Sequence, residues 1–202
     1  SQRRIALLGD KAHKLASRLK NVRDLDDLYL SLVSEWQDPA SVVISAQEPE
    51  TLLNDRTSKP GRREHEHRMM YWDAMTYLPD DILCKVDRAA MGIGLETRVP
   101  FLDHRVAELA WRMPLNMKIR NNQGKWILKQ VLYKYVPQYL LDRPKTGFGI
   151  PIGEWLRGPL REWAESLLDE SRLRKEGYFN PVPVRKKWEE HKAGTRNWAQ
   201  SI

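Results

Sequence analysis

Apolar residues recur every three or four positions along almost the whole chain, and this spacing constrains the fold more than any other feature. Leu25, Leu28, Tyr29 and Leu32 follow it, and Asp24 stands where a helix N-cap is expected. Runs that alternate apolar and polar residues, as half-buried strands do, are not found. The sequence therefore predicts an all-α chain with little or no β structure.

The same spacing predicts further helices that are separated by proline and glycine. A helix over residues 64–78 is expected to stop at a turn forced by Pro79, and the next helix then begins with Asp80 or Asp81 as its cap. A later helix is expected to begin at Asp103, after an extended stretch. The buried side of the helix that follows Pro79 is expected to carry Ile82, Leu83, Val86, Ala89 and Ala90.

Two stretches lack helical spacing and are typical of loops. Residues 48–63 are polar and contain prolines and a glycine, so they are predicted to form a surface connection. Residues 142–151 hold two glycines and two prolines in ten positions between two amphipathic helices. Loops on a rigid scaffold often carry function, and residues 142–151 are therefore the predicted active-site loop.

The formal charge of +7 raises the question of a nucleic-acid partner. Basic residues are scattered among acidic ones, as on solvated helix faces, so nucleic-acid binding is the weaker interpretation. No apolar run reaches the roughly 18 residues of a membrane span, so no membrane partner is expected. Cys84 is the only cysteine, which excludes an intrachain disulfide and agrees with a cytoplasmic location.

Charged residues between positions 81 and 103 stand among apolar ones, where they need partners. These residues are Asp87, Arg88, Glu96, Arg98 and Asp103. The favoured interpretation is an internal ion-pair network that fixes the extended segment around Pro100. The alternative is that they form one wall of a site.

Lys145, in the predicted loop, is the best single candidate for catalysis. A lysine beside Gly147 and Gly149 can be brought to a phosphate and can neutralise charge that develops during transfer. No Walker-type spacing supports it, so the pattern alone leaves an ordinary surface lysine open. His65 and His67 are two positions apart on a helix and point away from each other, so no metal site is predicted.

Three blocks match one family in order and spacing: YLPDDILCKVDRAAM at 77–91, LETRVPFLDH at 95–104 and RPKTGFGIP at 143–151. Together they resemble the synthetase half of the glutamine-hydrolysing asparagine synthetases. Residues 124–129 resemble the helix that lies between these blocks, with Lys129 where arginine is common. The resemblance runs from about Glu64 to Trp163, and it implies the C-terminal helical portion of an α/β synthetase domain.

The resemblance implies a reaction in which Mg-ATP adenylates a carboxylate, aspartate by default, and glutamine-derived ammonia then gives an amide. Lys145 occupies the position of the family's lysine that stabilises charge on the phosphates. Asp81 lies near the family's acidic residue facing the acyl substrate, with Asp80 as its competitor and Gly147 as a further substrate-binding position. The five charged residues between 87 and 103 match positions that are mainly architectural.

The family's ATP-binding Ser-Gly-Gly-x-Asp-Ser loop and its glutaminase cysteine are not found in this sequence. Both are expected upstream of Ser1, so residues 1–202 are interpreted as one piece of a synthetase domain that is inactive alone. ATP and Mg²⁺ are expected to bind the parent protein and not this piece. The expected partners are the upstream ATP-binding and glutaminase parts, a small acyl substrate and possibly a second copy, and a non-catalytic helical binding module is the alternative.

Overall fold

The computed structural model describes residues 2–55, 61, 64–142 and 149–202, and the side chains from residue 9 onward within these ranges. The chain divides into two compact units. Unit 1 comprises Ser1–Ser58 with Phe148–Ile202, and unit 2 comprises Lys59–Gly147. Among the helices of the described ranges, none combines the length and apolarity that a membrane crossing requires.

The elements follow one another as α1 (Gln2–Leu19), α2 (Leu25–Val33), α3 (His65–Met75), α4 (Cys84–Met91), α5 (His104–Arg112), α6 (Leu115–Lys118), β1 (Ile119–Arg120), β2 (Gln123–Gly124), α7 (Trp126–Leu132), α8 (Gln138–Leu141), α9 (Ile152–Arg157), α10 (Arg161–Leu167), α11 (Glu170–Glu176) and α12 (Pro181–Lys192). The strands β1 and β2 form a short antiparallel hairpin, in which Ile119 pairs with Gly124. The prediction of a mainly helical chain is confirmed.

Unit 1 has its core where α9, α10 and α12 meet. Leu156, Ala164 and Trp188 are buried there, and Trp188 is 0% exposed. The helix α12 begins at Pro181, whose missing N–H costs nothing at that position, and the side chain of Asn180 caps it by accepting from the amide of Val182. Burying a tryptophan removes a large apolar area from water, so this contact dominates the stability of unit 1.

Polar groups buried in this core are hydrogen-bonded. The indole N–H of Trp188 donates to Glu165 Oε2 at 2.6 Å. His191, also 0% exposed, accepts from the amide of Trp198 at its Nδ1, so its Nε2 carries the proton and donates to the carbonyl of Gly153 at 3.2 Å. These bonds fix α12 against both α9 and the C-terminal segment.

The two predicted aspartate caps are confirmed. Asp24 accepts from the amide of Asp27 at the start of α2, and Asp103 accepts from the amide of Arg105 at the start of α5. Each cap satisfies one of the backbone donors that the first turn of a helix leaves without a partner. Both could be predicted because a cap depends only on residues a few positions apart.

The chain around Pro79 differs from the prediction. Helix α3 ends at Met75, but residues Leu78–Leu83 then form a π-helical segment that runs directly into α4. Pro79 lies in the first turn of this segment, where no N–H is needed, so it does not force a turn. The predicted cap by Asp80 or Asp81 is wrong, because neither side chain bonds to a backbone amide at this start.

The predicted burial along α4 is also wrong for the described residues. Val86 is 41% exposed and Ile82 is 37% exposed, whereas Trp72 on α3 is buried together with His67. The apolar stripe is present, but no described residue covers it. Residues 48–55, the described part of the predicted surface connection, form turns and contain no helix or strand.

Candidate functional site

The π-helical segment of unit 2 carries the two acidic candidates. Asp81 is half-buried, and its Oδ1 lies 2.5 Å from the Nζ of Lys85, one turn further on. This hydrogen bond raises the pKa of Lys85 above its ordinary value and holds the lysine in its charged form. Asp80 is exposed to solvent. π-Helical turns are often found at functional sites, and here one presents two neighbouring carboxylates.

Unit 2 contains a cleft of about 510 Å³ between α4 and the residues that precede α5. Leu83, the last residue of the π-helical segment, also lines this cleft. Three of the five charged residues singled out from the sequence line it, namely Asp87, Arg98 and Asp103. Its other walls come from apolar residues such as Leu83 and Val99. Charged groups of both signs on apolar walls are suited to a small polar ligand.

The ion pairs near this cleft are local. Glu96 contacts Arg98 at 2.7 Å, with both side chains exposed. Asp103 contacts Arg105 at 2.8 Å, and the hydrogen bond from Arg105 lowers the pKa of Asp103. Exposed pairs of this kind contribute little to stability.

The remaining two charged residues, Asp87 and Arg88, are both exposed. In the parts of unit 2 that the structure describes, the ion pairs of Glu96 and Asp103 are separate. The five charged residues therefore do not form a single network there.

Asp142 is a feature of the candidate site that sequence reasoning missed. Its Oδ1 accepts from Lys129 Nζ at 2.9 Å, its Oδ2 accepts from Gln138 Nε2 at 2.7 Å, and the hydroxyl of Tyr133 donates to both oxygens at 2.9 and 3.0 Å. The hydrogen bonds from Lys129, Gln138 and Tyr133 lower the pKa of Asp142 to about 2. Asp142 is therefore an anchor at the first position of the predicted loop 142–151.

A signal for this anchor was present in the sequence. Lys129 stands where the resembling family commonly has arginine, which indicates that the position favours a basic side chain. The acid could not be identified from spacing, because Asp142 is thirteen residues away along the chain.

Two site residues predicted from the sequence, Lys145 and Gly147, lie outside the described residues. The described end of the loop, Gly149 to Pro151, is exposed and has no regular structure. The described residues also show no metal site. No group of three histidine, cysteine, aspartate or glutamate side chains in the described ranges is arranged to hold an ion.

Comparison with known proteins relates these features to a family. The chain is 35% identical over 136 residues to the glutamine-hydrolyzing asparagine synthetase 1 of Bacillus subtilis (strain 168), a match that covers 67% of this chain and 21% of that protein. It is 38% identical over 137 residues to a putative glutamine-hydrolyzing asparagine synthetase of Mycobacterium tuberculosis, with the same coverage. The human glutamine-hydrolyzing asparagine synthetase is 28% identical over 163 residues, which cover 71% of this chain and 28% of that protein.

This chain therefore spans about a fifth of the length of its bacterial relatives. No solved structure matches it significantly. The match to the asparagine synthase family extends over residues 1–202 and so includes both units, the acidic π-helical segment and residues 142–151. From this match over its whole length, the chain belongs to the asparagine synthase family.

Proposed function

We propose that this chain is part of an ATP-dependent amidotransferase that activates a carboxylate, aspartate by default, and converts it to an amide with ammonia from glutamine. The observation that carries the proposal is the family match over residues 1–202. The relatives support it, since the proteins of Bacillus subtilis and human are both named glutamine-hydrolyzing asparagine synthetases. A cytoplasmic location stays a prediction.

ATP and Mg²⁺ are assigned to the parts of the enzyme that this chain does not span. In the described ranges no group of three or more histidine, cysteine, aspartate or glutamate side chains is arranged to hold an ion. Mg²⁺ commonly binds through one or two carboxylates together with nucleotide phosphates, so we assign it to the part that binds the nucleotide. In the proposed enzyme ATP would supply an adenylyl group to the carboxylate oxygen, with pyrophosphate as the leaving group. The ATP-binding and glutaminase parts are therefore the proposed partners of this chain, and a second copy is a further possible partner.

Lys145 is the proposed catalytic residue of this chain. Its ammonium group stabilises the negative charge that gathers on the phosphoryl oxygens during adenylation. Asp142, three residues earlier, holds the start of the loop through three side-chain donors. Small displacements of a catalytic group reduce rates strongly, so loss of these hydrogen bonds is expected to lower the rate of the proposed reaction.

Asp80 and Asp81 are the proposed contacts to the acyl substrate, together with Gly147. A carboxylate can accept from the ammonium group of an amino-acid substrate. Asp81 is already paired with Lys85, whereas Asp80 is exposed, so Asp80 can bind a ligand without breaking an ion pair. Separate Asp80→Asn and Asp81→Asn variants distinguish the two, because only the substrate contact is expected to raise KM for the acid.

The test uses the full-length protein that contains this chain and measures exchange of pyrophosphate into ATP in the presence of aspartate. Lys145→Ala is expected to lower the exchange rate by roughly 10²-fold or more. Lys175→Ala removes a lysine on α11 in unit 1 and is the matched control, with an expected rate equal to wild type. An unchanged rate in Lys145→Ala would exclude this lysine from the chemistry.

The acyl substrate is tested by the same assay. Exchange that depends on aspartate supports the default substrate, and exchange that requires a sugar carboxylate replaces it. If no carboxylate supports exchange while the protein is folded, the alternative of a non-catalytic binding module takes its place.

A further inference from the structure

Unit 1 contains a second cavity, which the proposed function does not use. Its volume is about 1360 Å³, and its walls come from α1, the segment after α2, α9, α12 and the C-terminal residues. This exceeds the volume of roughly 300–1,000 Å³ that is typical of small-molecule sites, so a small ligand and several waters fit. All of its lining residues belong to unit 1.

Two cations in the wall of this cavity form no direct ion pair with a described acidic residue. Lys187 Nζ lies 3.2 Å from the centre of the Trp36 ring and 4.7 Å from the centre of the Trp198 ring. Arg157 Nη1 lies 3.4 Å from His191 Nε2, which donates to a backbone carbonyl and therefore cannot accept from the arginine. Among the described residues, neither Lys187 nor Arg157 forms an ion pair. Their donors are available to an anion.

The cations converge on one region of the cavity. Lys187 lies one turn before His191 on α12, and positions four apart on a helix share a face. Lys14, from α1, places its Nζ 4.8 Å from the centre of the same Trp198 ring that Lys187 contacts. Burial, with a smaller contribution from the charge of Lys14, lowers the pKa of Lys187 to about 8 against the attraction of Glu35 and Glu190.

His191 responds to the same charges. Burial is the largest cause that lowers the pKa of His191, and the positive charges of Arg157 and Lys14 lower this pKa further. Lys14 therefore acts on both α12 residues, and Arg157 acts on His191. A multiply bonded oxyanion is the ligand that relieves this repulsion.

One acidic oxygen in the cavity is left without a partner. The side chain of Asp10 is 7% exposed, and its Oδ2 lies 3.2 Å from Lys14 Nζ. Its Oδ1 is buried and accepts no hydrogen bond. Leaving a buried charged acceptor unbonded is unfavourable, so this atom is suited to a donor supplied by a ligand. The ligand must therefore carry a hydrogen-bond donor as well as an anion.

We propose that this cavity binds a small organic anion that also carries an ammonium or hydroxyl group, with Lys187 and Arg157 holding the oxyanion and Asp10 accepting from the donor. The rings of Trp36 and Trp198 form apolar walls beside the charged groups. The binding test does not depend on the amidotransferase activity, because Lys187, Arg157 and Asp10 lie outside the acidic segment and the loop. Two residues of the loop, Ile150 and Pro151, also line the cavity.

The test measures binding by titration calorimetry with two probes, inorganic phosphate and O-phospho-L-serine, which adds an ammonium donor to the same oxyanion. O-phospho-L-serine is expected to bind more tightly. Lys187→Met is expected to weaken its binding about tenfold, as the loss of one charge-assisted hydrogen bond does. Lys186→Met, at the exposed neighbouring position on α12, is the matched control and should bind like wild type. Asp10→Asn should reduce the preference over phosphate.

A readout in the wild-type chain keeps the test valid if a variant fails to fold. The pKa of Lys187, followed by the NMR signal of its terminal methylene, is expected to rise from about 8 when O-phospho-L-serine binds, because an anion favours the charged amine. No saturable binding of either probe, equal affinity in folded Lys187→Met, or an unmoved pKa would overturn the proposal. An unchanged preference in Asp10→Asn would overturn the part assigned to Asp10.

Discussion

Replacing Glu165 with glutamine is expected to lower the free energy of unfolding of unit 1. The carboxylate accepts from Trp188 Nε1 at 2.6 Å, from Arg185 Nη1 at 2.7 Å and from Lys192 Nζ at 2.8 Å. A glutamine keeps one acceptor oxygen and turns an NH₂ group toward the donors that faced the other oxygen. At least one donor near the buried indole then loses its partner.

The magnitude follows from the proton affinity of Glu165. Burial alone would raise its pKa, but the hydrogen bonds from Lys192, Trp188 and Arg185 outweigh burial and lower the pKa from 4.5 to about 2. At about 1.4 kcal/mol per tenfold change in affinity, this corresponds to an upper bound of about 3.5 kcal/mol. The side chain is 40% exposed, so solvent screening reduces the expected loss to roughly 1–2 kcal/mol.

The assay is urea unfolding of the 202-residue chain, followed through the indole N–H resonance of Trp188 so that unit 1 is observed by itself. Glu170→Gln is the matched control, because Glu170 pairs only with Arg174 on the exposed surface of α11. Its expected effect is below about 0.5 kcal/mol. A loss in Glu165→Gln no larger than that of the control would refute the assigned role of the three hydrogen bonds.

The pH dependence gives a second criterion. The folded pKa of Glu165 lies below its ordinary value, so its contribution is fully present above pH 4.5 and is lost as the pH falls toward 2. The difference in unfolding free energy between wild type and Glu165→Gln should therefore stay constant from pH 7 to 5 and shrink below that. A difference that does not change with pH would mean that packing, and not the carboxylate charge, causes the loss.

Further predictions concern the loop anchor, the cavity lysine and a left-handed glycine. Asp142→Asn should lower pyrophosphate exchange in the full-length protein by roughly tenfold, less than Lys145→Ala, because it acts through loop position. Lys187 has a folded pKa of about 8 against an ordinary 10.5, so the chain should become more stable between pH 8 and 10.5, and Lys187→Met should abolish this rise in urea unfolding. Gly94→Ala should lower the stability of unit 2 by about 1 kcal/mol in thermal unfolding, because Gly94 has a φ of 71°, whereas Gly61→Ala should have no effect.

Local features of the fold could be predicted from the sequence, since they depend on neighbouring residues. The caps by Asp24 and Asp103 are of this kind, and so is the helical class. The π-helical segment at Leu78–Leu83 could not be predicted, because a proline in a first turn is compatible with both a turn and a continuing helix. Propensity alone does not decide between these two outcomes.

Less of the candidate site than of the fold could be predicted from the sequence. The resemblance identified Asp80, Asp81 and Lys129 as family positions, but it did not identify the partner of Lys129. Contacts such as Lys129 with Asp142, or Lys14 with Trp198, join residues that are distant along the chain. Sequence spacing contains no signal for such pairs unless a family pattern supplies it.

The apolar spacing itself predicted burial that the described residues of unit 2 do not provide. Ile93 is 82% exposed and Tyr135 is 80% exposed, whereas Trp188 in unit 1 is 0% exposed. Helical periodicity records which side of a helix is buried in the complete protein, and it does not record which segment covers that side. In the proposed enzyme most of the relatives' length lies outside this chain, so the apolar sides of α4 and α7 have a source of partners there. The exposed apolar residues of unit 2 make the burial prediction wrong for this chain. They are also what we expect of one part of a synthetase whose other parts cover them.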